Sequence, residues 1–221
     1  MYRATDRFLT SLKARLRSEK NHWDTLSFDE LNVVRVKKET KEMFKRFLTY
    51  NRNEYIKIAK ESRAFALTLL TPEEKKNLKD ENTADDYVEY ILDTYNPVTG
   101  YLYKREAERK RLRTSEEIST ARTYLNRPRY RETIERTMNL WFTQSGQYAI
   151  DLTDHVVLST LKAAGIEKVQ WVAEDDHKTC KVCRNLDGRV FNIDKVPKKV
   201  HYHCRCHVIP YKDISGFTKK S

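Results

Sequence analysis

The sequence predicts an α+β protein with a mainly helical body of long helices and a small C-terminal β module. Charged residues make up 34% of the 221 residues, whereas Gly and Pro number only five each. This balance favours helices, because strands and their turns use more glycine and proline. Apolar residues recur at helical spacing through most of the chain up to residue 165. Short alternating segments and all four cysteines follow, which predicts the β module there.

Composition limits the classes of protein to consider. No apolar run approaches the roughly 18 residues of a membrane span, so we expect a globular chain of one or two domains without a membrane partner. Residues 1–7 are charged, and no apolar run follows them. We therefore expect no secretory signal peptide and a reducing cytoplasmic environment.

The chain is predicted to open with two long helices. Residues 2–20 place four apolar side chains on one helical stripe among Arg and Lys. Ser27-Phe28-Asp29-Glu30 has the pattern of a capping box and predicts the start of a second helix that reaches about Leu70. Because an unbroken helix of that length would span about 60 Å, we expect a break near residues 50–53. The stripe of the first helix consists of Phe8, Leu9, Leu12 and Leu16.

Shorter helices are predicted next. Thr71-Pro72-Glu73-Glu74 and Thr83-Ala84-Asp85-Asp86 each have the residues of a helix start. A turn is expected at residues 96–100, followed by a basic helix over 101–113 and a short helix over 115–125. The helix that begins at Thr83 is expected to bury Tyr87, Tyr90, Ile91 and Tyr95.

A long helix and a small sheet complete the predicted fold. Pro128 marks a break, and helical spacing from about Tyr130 predicts a helix that ends at Gly165, which suits a C-cap. Strands are predicted over 166–172, 189–191 and 206–211, with a turn at Asp187-Gly188 and with Pro210 on an edge strand.

These elements suggest three parts of the chain. Residues 1–129 form a helical N-terminal region, and residues 130–212 contain the long helix and the β module. Residues 213–221 are expected to be a flexible tail.

The four cysteines have the spacing of a metal site. Cys180 and Cys183 are two residues apart, so a tight turn can direct both thiolates at one ion. Cys204 and Cys206 would share one face of an extended segment and complete a four-thiolate site, whereas the spacing from His201 to Cys204 allows a site with one histidine. Zinc is the expected ion, in a closed structural site. Disulfides are the alternative, and a reducing compartment disfavours them.

The order of motifs in this region resembles a known family. Trp171 is followed by Thr179-Cys180-Lys181-Val182-Cys183, by Leu186-Asp187-Gly188 and by a closing His201-Tyr202-His203-Cys204-Arg205-Cys206. This order resembles the C-terminal signature of the phage Mu F-like minor head proteins, a family of head-morphogenesis proteins. The resemblance covers roughly residues 130–212. The chain departs from the family pattern in having Tyr202-His203 before Cys204.

The resemblance implies a structural protein of the virion rather than an enzyme. A minor capsid protein of this kind would enter the head at the portal vertex while capsids assemble in the host cytoplasm. The implied partners are the portal protein, the scaffold and major capsid proteins, and the packaged DNA.

The distribution of charge supports an anionic partner for the cysteine-containing part. The chain carries a formal net charge of +11. Nine Lys or Arg residues and only two Asp residues lie between 178 and 212. Such a cluster favours phosphate groups. We therefore expect contacts with DNA from Lys195, Lys198, Lys199 and Arg205.

A zinc-dependent nucleic-acid-binding protein or nuclease is the alternative function. His201, His203 and His207 would then be the active groups. The sequence contains no Gly-x-Ser-x-Gly, no Gly-rich phosphate loop and no His-Glu-x-x-His motif. We therefore predict no catalytic residue and no enzymatic activity.

Overall fold

The structure, a computed structural model, describes residues 1–79, 82–94, 103–174, 179–199 and 204–212. Long helices dominate the described part of the chain, and a three-stranded sheet lies near its C-terminal end. The helices are α1 (Arg3–Thr25), α2 (Val33–Thr68), α3 (Pro72–Lys76), α4 (Ala84–Asp93), α5 (Tyr103–Thr123), α6 (Arg127–Ala163) and α7 (Lys181–Leu186). Single 3-10 turns span Phe28–Glu30 and Ile193–Lys195, and the strands are β1 (Lys168–Val172), β2 (Val190–Asn192) and β3 (His207–Pro210).

Helix α6 is the centre of the helical body. It packs against α1, α2, α4 and α5. Its Trp141 ring stacks on Phe47 with a centroid distance of 5.1 Å and meets Phe44 edge-on at 5.3 Å. Burial of these aromatic side chains supplies much of the apolar contact that holds long helices together. The body therefore has one continuous core around α6, which we call the first core.

The three strands form an antiparallel sheet in the order β2-β1-β3. Val169 of the central strand lies opposite Phe191 on one side and Pro210 on the other. Pro210 thus lies on an edge strand, as predicted, where its missing N–H leaves no ladder bond unmade. The turn at Gly188 is also confirmed, with a φ of +72° and its N–H donated to the carbonyl of Trp171 at 2.9 Å.

The sheet shares a second core with the ends of two helices. Val169, Trp171 and Val208 pack with three of the cysteines and with the C-terminal ends of α2 and α6. A module of this size encloses too little apolar surface to be stable alone, so the helix ends contribute the missing area. The ends of these helices and the residues just after them contribute Ala66, Leu70, Val157, Leu161 and Ala164 to the second core.

Several predicted helix boundaries are confirmed. Thr71 and Thr83 both form capping boxes, with Glu74 and Asp86 as their partners. α6 ends before Gly165, which has a φ of +84° and closes the last turn. These helix boundaries follow from the chemistry of the residues next to them.

The predicted start of the second long helix is wrong. Ser27 makes no side-chain cap, and residues Phe28–Glu30 form only a 3-10 turn. α2 instead begins after Asn32, whose Oδ1 accepts the N–H of Arg35 at 2.9 Å. The turn is separate because Phe28 and Leu31 are both buried in the first core.

The predicted break near residues 50–53 is also wrong, because α2 runs without interruption through them. Asn51 is fully buried there, and its Nδ2 donates to the hydroxyls of Tyr103 at 2.9 Å and Ser145 at 2.7 Å. These contacts from α5 and α6 satisfy the amide N–H groups of a residue that, in isolation, favours a turn.

Three further predictions are corrected. The helices expected over 101–113 and 115–125 form the single helix α5 in the described part, with Thr114 buried and its hydroxyl 3.0 Å from that of Thr137. Pro128 lies in the first turn of α6, so the break precedes it at Leu125 and Asn126. Tyr90 is 53% exposed rather than buried and stacks on His155. Tyr87 and Ile91 are buried as expected.

Some predictions fall outside the described residues. These are the turn at 96–100, Tyr95 and the tail over 213–221. The division into 1–129 and 130–212 stays a prediction. None of the helices in the described ranges combines the length and the apolar character that crossing a membrane requires.

Candidate metal centre

Helix α7 positions the first pair of cysteines. Cys180 is its N-cap residue, with extended backbone, and its Sγ accepts the N–H of Cys183 at a distance of 3.4 Å. A sulfur atom in this position takes the place of the usual Ser, Thr or Asp oxygen at a helix start. The Cys-x-x-Cys spacing therefore begins α7 and turns the thiol of Cys183 into the second core.

The second pair of cysteines lies just before β3 and faces inward. Cys204 and Cys206 are 2% and 3% exposed, whereas Arg205 between them is half-buried. The alternation is that of an extended chain, in which successive side chains point to opposite sides. The prediction that Cys204 and Cys206 share one face is confirmed.

Three sulfur atoms meet in a cluster that could hold a metal ion. The Sγ atoms of Cys183, Cys204 and Cys206 all lie within 4.8 Å of one another, and those of Cys183 and Cys204 are 3.4 Å apart. Tetrahedral zinc with Zn–S bonds of about 2.3 Å places its sulfur ligands about 3.8 Å apart. All four cysteines are free thiols. The cluster thus fits a metal ion, with Cys180 adjacent to it.

Burial disfavours the thiolate form at Cys183 and Cys204. It raises the pKa of the Cys183 thiol above its ordinary value, and the neighbouring thiols of Cys204, Cys180 and Cys206 raise that pKa further. Burial also raises the pKa of Cys204, while the positive charge of Lys199 acts in the opposite direction. A bound divalent cation would supply the positive charge that several buried thiolates require.

A buried polar network adjoins the cysteines. Nζ of Lys199 lies 2.7 Å from Oδ2 of Asp154 on α6 and also donates to the hydroxyl of Tyr2. The same hydroxyl lies 2.6 Å from Oδ1 of Asp154 and 3.1 Å from the carbonyl oxygen of Cys206. The network therefore connects the first residues of the chain to the segment that carries the last cysteine.

This network could not be found in the sequence. In the sequence, Asp154 is one polar position on a long predicted helix, and Lys199 is one of many cations. Tyr2 precedes α1 and has no neighbouring motif. Only the tertiary structure shows that the Lys199 side chain is 7% exposed and paired with a carboxylate.

A cavity of about 250 Å³ lies beside this network, between α4, α6 and the cysteine-containing segment. Asp151 lines it, and burial raises the pKa of this carboxyl to about 6. His207 lines it as well, and its Nδ1 has no hydrogen-bond partner within the described ranges. The histidine and the carboxyl belong to different walls, α6 for Asp151 and β3 for His207.

The four cations predicted to contact DNA differ in their exposure to solvent. Lys195 and Lys198 are exposed, and Arg205 is half-buried. Lys199 differs from these three residues because its side chain is buried and forms an ion pair with Asp154. His201 and His203 lie outside the described residues, so their predicted roles stay predictions.

Comparison with known proteins identifies one family. Residues 103–209 match the family model described as Phage Mu protein F like protein, and this agrees with the resemblance seen in the sequence. The matched segment is slightly less than half of the chain and begins at the first residue of α5, before the region in which we noted the resemblance. It contains α6, β1, β2, all of β3 except Pro210, and all four cysteines. No curated protein and no solved structure matches the chain.

Proposed function

We propose that this chain is a structural protein of a phage head, a minor capsid protein that is incorporated at the portal vertex during head morphogenesis. The observation that carries the proposal is the family match over residues 103–209, which spans the cysteine cluster and the helix α6 that supports it. A phage virion is then its location, and assembly takes place in the host cytoplasm.

The metal in this proposal is a structural zinc ion. Cys183, Cys204 and Cys206 would supply three thiolates and Cys180 the fourth, with His201 as the alternative fourth ligand. A buried site made of sulfur atoms suits a closed structural ion rather than one that activates water. Zinc would join α7 to the segment before β3 and so hold the second core together.

The proposed protein partners are the portal protein, with the scaffold and major capsid proteins as further candidates. The long helices offer the area that such contacts need. Assembly proteins typically bury about 800 Å² per partner in a stable contact. The shared second core gives the cysteine-containing segment a fixed position on the helical body, which a rigid attachment to a portal requires.

We also propose that packaged DNA contacts the exposed cations of this segment. Lys195 and Lys198 are available to phosphate, with Arg205 beside the cysteines. Lys199 is left out because its charge is neutralised by Asp154. No catalytic role is proposed; nuclease activity is the competing function, with His207 as its one candidate group in the described part of the chain.

The first experiment measures metal and head incorporation together. Heads made by the genome that encodes this chain would be purified with wild-type protein, with Cys183→Ser/Cys204→Ser, or with the control Lys181→Ser, whose side chain is exposed on α7. We expect about one zinc per wild-type and control chain by plasma mass spectrometry, and none in the cysteine variant.

Quantitative mass spectrometry of the same heads tests the function. We expect wild-type and control chains in the heads at a few copies each, and loss of the chain and of infectivity in the cysteine variant. Absence of the wild-type chain from every head and procapsid fraction would refute the structural role. Plasmid nicking by the purified chain that requires a divalent cation and disappears in His207→Ala would favour the nuclease.

A second experiment tests the contact with DNA. Binding of the zinc-loaded chain to a 30-base-pair duplex would be measured between 50 and 200 mM salt for wild type and for Lys195→Ala/Lys198→Ala. Removing two phosphate contacts lowers the slope of log affinity against log salt by about 2. The control Lys13→Ala/Lys60→Ala removes two exposed lysines from α1 and α2 and should leave the slope unchanged. Equal slopes for all three proteins would remove DNA from the proposal.

A further inference from the structure

A long groove lies between α2 and α5, on the helical body and outside the cysteine-containing segment. Its volume is about 1080 Å³. Val33, Lys37 and Lys41 line it on successive turns of α2. On α5 its wall extends from Arg111 to Thr123, a rise of about 18 Å at 1.5 Å per residue, and Tyr124 follows directly after the helix. The groove therefore has the length of a helix of three to four turns.

The groove collects exposed apolar side chains. Val33 is 49% exposed, Leu112 54% and Tyr124 78%, and all three line the groove. Val34 and Leu125, the sequence neighbours of Val33 and Tyr124, are 78% and 65% exposed. These five are half of the large apolar side chains that the described part of the chain exposes. Such a concentration on a polar protein marks a surface that another molecule covers.

The polar side chains around the groove carry an excess of positive charge. Lys37, Lys38 and Lys41 line it, are exposed and have no carboxylate within ion-pair distance in the described ranges. The acidic side chains that line the groove are those of Glu42 and Glu116. Arg111 adds no further charge, because it pairs with Glu108 at 2.6 Å. An occupant with acidic side chains beside its apolar ones would complement this surface.

The end of α5 keeps an apolar side chain at a position that usually requires glycine. Leu125 has a φ of +51°, and the N–H of Asn126 closes the turn on the carbonyl of Ala121 at 2.8 Å. A side chain in this left-handed conformation is strained, and glycine relieves the strain. The exposed leucine beside the groove is thus kept although its backbone conformation is strained. This points to a contact made by that side chain.

We propose that the groove between α2 and α5 binds an amphipathic helix of another protein, one with an acidic polar face. Its apolar residues, spaced at i, i+3 or i+4 and i+7, lie against Val33, Leu112 and Tyr124, and its carboxylates face Lys37 and Lys41. Ser115 and Ser119, small residues on the α5 wall, let the bound helix approach closely. This surface is independent of the cysteine cluster and of the head function proposed above.

The test uses the full chain and two synthetic probes. Both are 14-residue helical peptides labelled with fluorescein, with the same leucines and with either Glu or Lys at every polar position. Fluorescence anisotropy measures their affinity. We expect the Glu peptide to bind at least tenfold more tightly than the Lys peptide to the wild-type chain.

Three variants localise the binding. Leu112→Ser/Tyr124→Ser should weaken the Glu peptide at least tenfold, and Lys37→Glu/Lys41→Glu should reverse the preference toward the Lys peptide. Leu125→Gly should bind more weakly while melting at a higher temperature, which separates lost contact from lost fold. The control Leu140→Ser changes an apolar side chain of 41% exposure on α6, outside the groove, and should change nothing.

Four outcomes would overturn the proposal. Equal binding of the two peptides would show that the occupant is not selected for an acidic face. Binding that the groove variants leave unchanged would show that the peptide binds elsewhere on the chain. Dimerisation of the wild-type chain that Leu112→Ser/Tyr124→Ser abolishes in sedimentation would make a second copy the occupant. Displacement of the Glu peptide by duplex DNA, with loss of DNA binding in Lys37→Glu/Lys41→Glu, would assign the groove to nucleic acid.

Discussion

At the scale of single residues, Asn51 illustrates how a buried polar group stabilises a long helix. Its amide donates to Tyr103 on α5 and Ser145 on α6, so one side chain links three helices. We expect Asn51→Ala to lower the free energy of unfolding by about 2 kcal/mol, because two buried hydroxyls lose their donor. Urea unfolding of the chain measures the change.

The exposed Asn53 gives the matched control for Asn51. It lies on the same helix two residues later. Asn53→Ala should change the free energy of unfolding by less than about 0.5 kcal/mol. Similar losses for both variants would mean that the contacts with α5 and α6 do not determine the effect.

Asp151 is a second residue whose burial has a measurable consequence. Burial raises the pKa of its carboxyl from 3.8 to about 6, while the amide of Gln147 and the charges of Lys199 and Lys198 oppose the rise. The folded state therefore binds the proton more tightly than the unfolded state. Its contribution to stability is complete below pH 3.8 and is lost as the pH rises through about 6.

Replacing Asp151 with asparagine should remove this pH dependence. We expect Asp151→Asn to raise the free energy of unfolding by about 3 kcal/mol at pH 7.5 and to change it by less than about 1 kcal/mol at pH 4. Thermal or urea unfolding at the two pH values measures the difference. An equal gain at both would show that packing, and not ionisation of the carboxyl, is responsible.

At the scale of the elements, the end of α6 determines where β1 begins. Gly165 has a φ of +84°, and the N–H of Ile166 closes the helix on the carbonyl of Leu161 at 3.1 Å. A Cβ added at Gly165 would meet no atom within 4 Å. The glycine is therefore needed for its backbone conformation and not for space.

Substitutions at Gly165 separate backbone strain from crowding. We expect Gly165→Ala to lower the free energy of unfolding by about 1 kcal/mol and Gly165→Asn to lower it by less, because asparagine adopts the left-handed region more readily. Urea unfolding distinguishes the two. A loss for asparagine larger than that for alanine would indicate crowding at this turn instead.

At the scale of the whole molecule, the two cores should respond differently to loss of metal. The first core contains no cysteine, whereas the second contains Cys183, Cys204 and Cys206. We expect a chelator to abolish the hydrogen-exchange protection of β1 and β3 while the amides of α2 from Val36 to Ala59 stay protected. Exchange followed by mass spectrometry measures both regions in one sample.

The variant Cys183→Ser provides the control for the chelator. Without any chelator it should show the same local loss of protection, since it removes one of the clustered thiols. Uniform loss of protection over both cores would mean that the chain unfolds as one unit. The network of Tyr2, Asp154 and Lys199 would then be a route by which the cysteine-containing segment stabilises the helical body.

The sequence by itself determined the features that depend on neighbouring residues. The capping boxes at Thr71 and Thr83, the glycine turns at Gly165 and Gly188 and the edge position of Pro210 all follow from local backbone chemistry. The inward pairing of Cys204 and Cys206 follows from the alternation of an extended chain. The family resemblance rests on the same short-range order of residues, and the family match agrees with it.

Only the tertiary structure decided the features that depend on residues far apart in the chain. Asn51 continues α2 because two other helices supply its partners, and Lys199 is buried because Asp154 and Tyr2 neutralise and solvate its charge. A polar residue predicts a break or an exposed cation when only its neighbours are considered. The partners of Asn51 and Lys199 are dozens of residues or more away in the sequence. The free energy of a buried polar group depends on such partners.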